Sequence, residues 1–126
     1  MKKLNTILTI AIIVLAVSIG FRLSGFLGSA HDGKLDGFAQ CLTDKGVKMY
    51  GAYWCPHCQN QKTLFGDSWD FVNYIECSLP NRAGTTEVCL AAGIKAFPTW
   101  EIKFDDRTEG ELTLKQLSEK SGCALP

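Results

Sequence analysis

The sequence predicts an α/β fold in which a mixed sheet of about four strands carries helices on both faces. Three observations predict it. Helical and strand patterns alternate from Leu35 to Gly122, and strands that alternate with helices require parallel crossovers. Asp105-Asp106 lies between two short β-prone runs, a tight turn that makes the last strands an antiparallel edge pair. Finally, Cys55-Pro56-His57-Cys58 stands where a strand hands over to a helix, the placement of a redox-active cysteine pair.

Leu35, Phe38, Ala39 and Leu42 recur at helical spacing, and Gly46 is placed to end that first helix. Val47 to Tyr53 reads as a buried strand. The second helix runs from Pro56 to about Phe65 and stops at Gly66, with Leu64 and Phe65 on its core face and Gln59, Asn60, Gln61 and Lys62 in water. Phe71 to Cys77 is the next strand, followed by a loop through Pro80, Asn81 and Gly84. Thr85 or Thr86 caps a third helix holding Val88, Cys89, Leu90 and Ala91, which Gly93 ends. Phe97 to Phe104 is a strand broken at its start by Pro98, and a shorter strand lies near Thr108 to Glu111. Thr113 and Gln116 form a capping box for the last helix, and Gly122 terminates it. Glu101, Lys103 and Asp105-Asp106 read as a solvated edge that discourages strand pairing.

The chemistry centres on Cys55 and Cys58. Pro56 suits the first helical turn, where a missing N–H costs nothing. Cys58 falls one turn further in, so both sulfurs lie on one face and can close a short disulfide ring. The free N–H groups at the helix start stabilise a thiolate at Cys55, and His57 adds charge or a hydrogen bond. A stabilised thiolate is a good leaving group, which makes the disulfide more oxidising. Zinc is the competing use of a Cys-x-x-Cys. It needs a second ligand pair, whereas the other cysteines are scattered and the chain has 2 histidines, His31 and His57. No metal and no organic cofactor is expected.

At 126 residues the chain allows one folded domain, and its 46% apolar content is inflated by the first residues. Setting aside Lys2, Lys3 and Arg22 from the 13 basic residues leaves 10 against 13 acidic ones, a net of −3, with no basic patch for nucleic acid. The expected organisation is an anchor or signal sequence over residues 1–30, a linker over 31–36 and the folded domain over 37–126. Lys2 and Lys3 precede an uncharged run from Leu4 to Phe21, long enough to span a bilayer once Leu23 to Leu27 extend it. The paired lysines keep the amino terminus cytoplasmic and place the domain outside. Cleavage after Gly28-Ser29-Ala30, giving a secreted protein, is the alternative. Six cysteines in so short a chain indicate an oxidising compartment or redox work.

Cys55-Pro56-His57-Cys58 together with Gly93-Ile94-Lys95-Ala96-Phe97-Pro98-Thr99 resembles the thioredoxin superfamily, in which an apolar residue, a cis-proline and a threonine face the active cysteines. The run from Met49 to Lys62, with Leu64-Phe65-Gly66, looks more narrowly like the thioredoxin-like domain attached to bacterial vitamin K epoxide reductase homologues. The likeness covers about Phe38 to Gly122. It implies a thioredoxin-like fold, Cys55 as the attacking and accepting thiol, Cys58 as the resolving one, and Pro98 in the cis form beside them. It also implies electrons passing to a quinone through a membrane reductase. This chain lacks that reductase's spans, so a separate vitamin K epoxide reductase-like membrane protein is the implied partner. Reducing thioredoxins carry a buried Asp where this chain has Met49, which favours an oxidant.

The resemblance further implies a Cys77–Cys89 disulfide, either a relay for electrons or, preferably, a structural staple. Cys41 and Cys123 are left over. The usual thioredoxin layout puts the first and last helices on opposite faces, so an internal pair, free thiols and a bridge to another chain all stay open. Trp54, Phe97 and Thr99 are candidates for substrate docking, while Tyr53 and Trp100 read as core. The expected function is a membrane-anchored thiol-disulfide oxidoreductase that oxidises exported thiol proteins. The alternatives are a reductase or isomerase, and a non-catalytic thioredoxin-like binding module.

Overall fold

Helix α1, Asp36–Asp44, buries Phe38, Ala39 and Leu42, and Gly46 follows it at φ 78°, the left-handed conformation that ends helices cheaply. The computed structural model describes residues 31–126, of which Asp32–Pro126 forms one unit. The expected anchor at residues 1–30 lies outside the described residues, and among those described no helix is long and apolar enough to cross a membrane.

Strand β1 is Lys48–Gly51, shorter than the expected Val47 to Tyr53 because the Cys55 N–H turns back to the Ala52 carbonyl. Helix α2, Pro56–Phe65, carries the chain over the sheet, and a 3-10 turn, Gly66–Phe71, leads into β2, Tyr74–Glu76. Helix α3 is Glu87–Ala91, β3 is Thr99–Lys103, β4 is Asp106–Glu109 and α4 is Leu114–Ser121. The capping box of α4 is complete: Thr113 accepts from the Gln116 N–H and Gln116 reaches back to the Thr113 N–H. Thr86 sits at the N-cap of α3 but gives its hydroxyl to the Glu76 carbonyl instead.

The strand order is β2-β1-β3-β4, with β1 and β2 parallel and the other two pairs antiparallel. This is a thioredoxin-like mixed sheet. Side chains alternate across it. Val47, Met49, Trp100 and Ile102 face a core shared with α1, α2 and α4, whereas Tyr50 faces a smaller cluster with Cys77 and Cys89 under α3.

Three expectations need correction. Gln61 is fully buried and Leu64 is 44% exposed, because α2 turns the face containing Cys58, Gln61 and Phe65 to the sheet. Glu101 belongs to an interior strand and is buried between Lys48 at 3.0 Å and Arg107 at 2.6 Å. Burial alone would raise its carboxyl, yet these two cations hold it below its ordinary value. Lastly, α1 and α4 share one face of the sheet. Phe38 stacks on Phe65 at 6.0 Å, which draws α1 onto the side of α2, and Lys45 donates to the Ser121 carbonyl at the end of α4. Cys41 and Cys123 consequently meet, with Cα atoms 5.9 Å apart, and are bonded to each other.

Candidate active site

Four of the cysteines are paired, Cys41 with Cys123 and Cys77 with Cys89, which leaves Cys55 and Cys58 as thiols at the start of α2. Cys55 is the N-cap residue, with extended backbone at φ −79° and ψ 121°, and Pro56 occupies the first turn. Its sulfur thus lies where unpaired helix N–H groups favour negative charge. The Cys55 thiol donates to the Phe97 carbonyl at 3.6 Å. The Phe97–Pro98 peptide is cis, and Pro98 is buried against the site.

Cys58 is sealed. It has no exposed surface, and burial pushes its thiol up to about 12, partly offset by a hydrogen bond with the Ala52 backbone. The strand beneath it makes room by carrying glycine. A Cβ on Gly51 would lie 2.8 Å from Cys58 Sγ, 2.9 Å from the Tyr74 ring and 3.3 Å from the Met49 methyl. Met49 and Tyr74 therefore close around Cys58, and no acidic side chain stands at the Met49 position. The Tyr74 hydroxyl donates to Glu76 at 2.8 Å, and burial together with this carboxylate raises its phenol. Lys62 caps the Tyr74 ring at 4.2 Å, so it is only partly in water.

His57 points along the outside of α2, where Nδ1 meets Glu111 at 2.5 Å. Asn60 donates to the same carboxylate oxygen at 3.1 Å. The His57 hydrogen bond, then that of Asn60, holds the Glu111 carboxyl below its usual range. Trp54 is 39% exposed beside Cys55, with Phe97 edge-on at 6.3 Å, so these two candidates adjoin the reactive sulfur. Thr99 does not face outward: it is buried and its hydroxyl donates to the Ala96 carbonyl. Trp100 is core, but Tyr53 is 44% exposed, because the chain leaves the sheet at Gly51.

Cys77 and Cys89 lie fully buried on the other side of the sheet from Cys58, in the cluster with Tyr50. Among the described residues no group of three or more His, Cys, Asp or Glu side chains is placed to hold a metal ion.

Over 91 residues the chain is 41% identical to the thiol-disulfide oxidoreductase LTO1 of Arabidopsis thaliana. The chain is a homologue of a thiol-disulfide oxidoreductase. The alignment takes in 69% of this chain and 24% of that protein, so the chain spans about a quarter of that relative's length. No protein-family model matches the chain. The relative carries thiol-disulfide oxidoreductase in its name, and this chain places two free thiols, Cys55 and Cys58, at a helix start. The two disulfides belong to an oxidising compartment outside the cytoplasm or in a lumen.

Glu111, Gln61 and Gly51 are not legible in the sequence as site residues. Only Gln61 carried a signal, since it lies three residues after Cys58 and so on the same helix face.

Proposed function

We propose that this protein is a membrane-anchored oxidant that introduces disulfides into exported proteins through Cys55 and Cys58. The observation that carries the reading is the asymmetry of the two buried thiols: Cys55 keeps 5% of its surface exposed at the helix start beside Trp54, whereas Cys58 keeps none. In the oxidised form a substrate thiolate attacks Cys55 Sγ, and the Cys55–Cys58 bond breaks. Cys58 leaves as a thiolate and, given its buried setting, takes up a proton. A second substrate thiolate then attacks the substrate sulfur of the mixed disulfide and expels Cys55. The substrate gains a disulfide, and the enzyme keeps two electrons as a dithiol.

The direction is supported by apolar Met49 beside Cys58, which offers no carboxylate to deprotonate Cys58 for attack on a mixed disulfide. Reoxidation is assigned to a separate, quinone-linked vitamin K epoxide reductase-like membrane protein, on the strength of the motif resemblance around Cys55. The placement of Cys77–Cys89 on the far side of the sheet favours a staple over a relay.

The test is the equilibrium of Cys55–Cys58 in the full chain against glutathione buffers of graded poise, read by acid quench and peptide mass mapping. A potential well above that of the glutathione pool is expected. A potential near that of thioredoxin, about −270 mV, makes the protein a reductase and reverses the proposed flow.

A further inference from the structure

We infer that Ser78 and Arg82 are positioning residues that hold the Trp54 indole beside Cys55 as the platform on which a thiol peptide lands. The inference rests on the oxidoreductase reading and adds to it the loop that shapes the substrate side of the site.

Trp54 is held on two sides by one loop. Its indole N–H donates to Ser78 Oγ at 2.8 Å, and the Arg82 guanidinium lies over the ring, 5.2 Å from its centroid. An exposed indole usually turns among several rotamers, whereas one with its N–H bonded and a cation on its face keeps a single orientation. Phe97, whose carbonyl receives the Cys55 thiol, meets the same ring edge-on. Platform and reactive sulfur are thus registered against the same residue, Phe97.

The loop is built to deliver those contacts. The Cys77–Cys89 disulfide closes its base, assisted by hydrogen bonds from the Thr86 N–H to the Cys77 carbonyl and from the Leu79 N–H to the Gly84 carbonyl. Ser78 is itself fixed, because its N–H donates to Glu76 and its hydroxyl to the Leu79 carbonyl. At the tip, Asn81 and Arg82 both take left-handed backbone, at φ 56° and 57°. Two successive non-glycine residues in that region are uncommon and are kept only where the surroundings demand them. Here the turn brings an otherwise exposed arginine back over Trp54. The loop disulfide, on this account, shapes the substrate side of the site without exchanging electrons with it.

The test uses the full chain labelled with 15N-indole tryptophan, which gives one Nε1–H resonance for each of its 3 tryptophans. Ser78→Ala, Arg82→Ala and Arg82→Lys are compared, with a two-cysteine peptide and dithiothreitol as reductants. Unmoved Trp69 and Trp100 resonances report an intact fold. The expected result is a displaced Trp54 resonance in both alanine variants. The peptide-to-dithiothreitol ratio of kcat/KM should fall about threefold to tenfold, mainly through KM, with Arg82→Lys restoring most of it. A Trp54 resonance unmoved in both alanine variants, an unchanged ratio, or an Arg82→Lys variant as impaired as Arg82→Ala overturns the inference. A wild-type chain that oxidises neither reductant defeats the oxidoreductase reading itself, and the clamp is then judged by the resonance alone.

Discussion

The Trp100 indole donates to Gln61 Oε1 at 2.5 Å, and the same amide brackets the Leu112 backbone, accepting from its N–H at 3.0 Å and donating to its carbonyl at 2.9 Å. A single side chain from the cysteine-bearing helix thus ties together strand β3 and the segment leading into α4. All three groups are buried and have no water to fall back on. Gln61→Ala should therefore cost about 3 kcal/mol or more, since it strands two donors and an acceptor as well as leaving a void. Urea unfolding would show a lowered midpoint with an unchanged slope, and a loss under 1 kcal/mol would mean that water replaces the amide.

Gly51 is required by closeness, not by backbone angle. Gly51→Ala drives a methyl into Cys58 Sγ and the Tyr74 ring, both under 3 Å from the new carbon. Overpacking of this kind costs about 1–3 kcal/mol. Cys58 should also shift relative to Cys55, slowing closure of the ring. Unfolding of the variant, together with its rate of air-independent oxidation by oxidised glutathione, checks both effects.

Cys58 should stay protonated at every physiological pH. Its thiol in the folded chain is pushed up from 9.0 to about 12. Between these values the unfolded chain has lost the proton that the folded chain keeps, so stability of the dithiol form falls as pH rises through that window and is fully present below it. The disulfide form has no such thiol and should show no matching loss. Parallel unfolding curves at pH 8 and pH 10.5 for both forms measure the difference. Alkylation of the folded dithiol chain at pH 8 should leave Cys58 unmodified, and labelling there would contradict the sealed environment.

Replacing Cys77 and Cys89 together by serine separates staple from relay. Their 12-residue separation predicts a loss of about 2–4 kcal/mol from the freed unfolded chain. Turnover of dithiothreitol by Cys55–Cys58 should persist. A variant that is as stable as the wild type but cannot complete a cycle would assign the pair to electron transfer.

Glu101 governs acid stability. Its carboxylate is buried between Lys48 and Arg107 and titrates below its ordinary 4.5, so its contribution is present above that value and is lost as pH falls through the folded-state titration. Glu101→Gln leaves two cations facing a neutral amide, and should cost about 3 kcal/mol at pH 7 but far less at pH 2. Equal losses at both pH values would show that packing, not charge, holds the position.

The order of helices and strands could be read from local cues because each was written in local chemistry. Pro56 and Gly66 bracket α2, Thr113 and Gln116 cap α4, and the edge pair turns at Phe104-Asp105, one residue before the expected Asp105-Asp106. The reactive pair was legible for the same reason, since two cysteines one helical turn apart need only the helix to meet. What misled was any inference from polarity to exposure. Gln61 and Glu101 look solvated in isolation, yet each is buried with its hydrogen bonds or charge answered by residues of other elements.

The sequence by itself determined the chemistry of this protein, a vicinal dithiol at a helix start, because the spacing, the capping and the helix end that shape it lie within a dozen residues. Only the tertiary structure decided which side chains surround that dithiol. Glu111 reaches His57 across 54 positions, Leu112 reaches Gln61 across 51, and Cys41 finds Cys123 across 82. Such contacts depend on which face of the sheet each helix covers. That choice is made by the summed burial of many apolar side chains, here with Phe38 on Phe65, and leaves no mark on any one stretch of sequence.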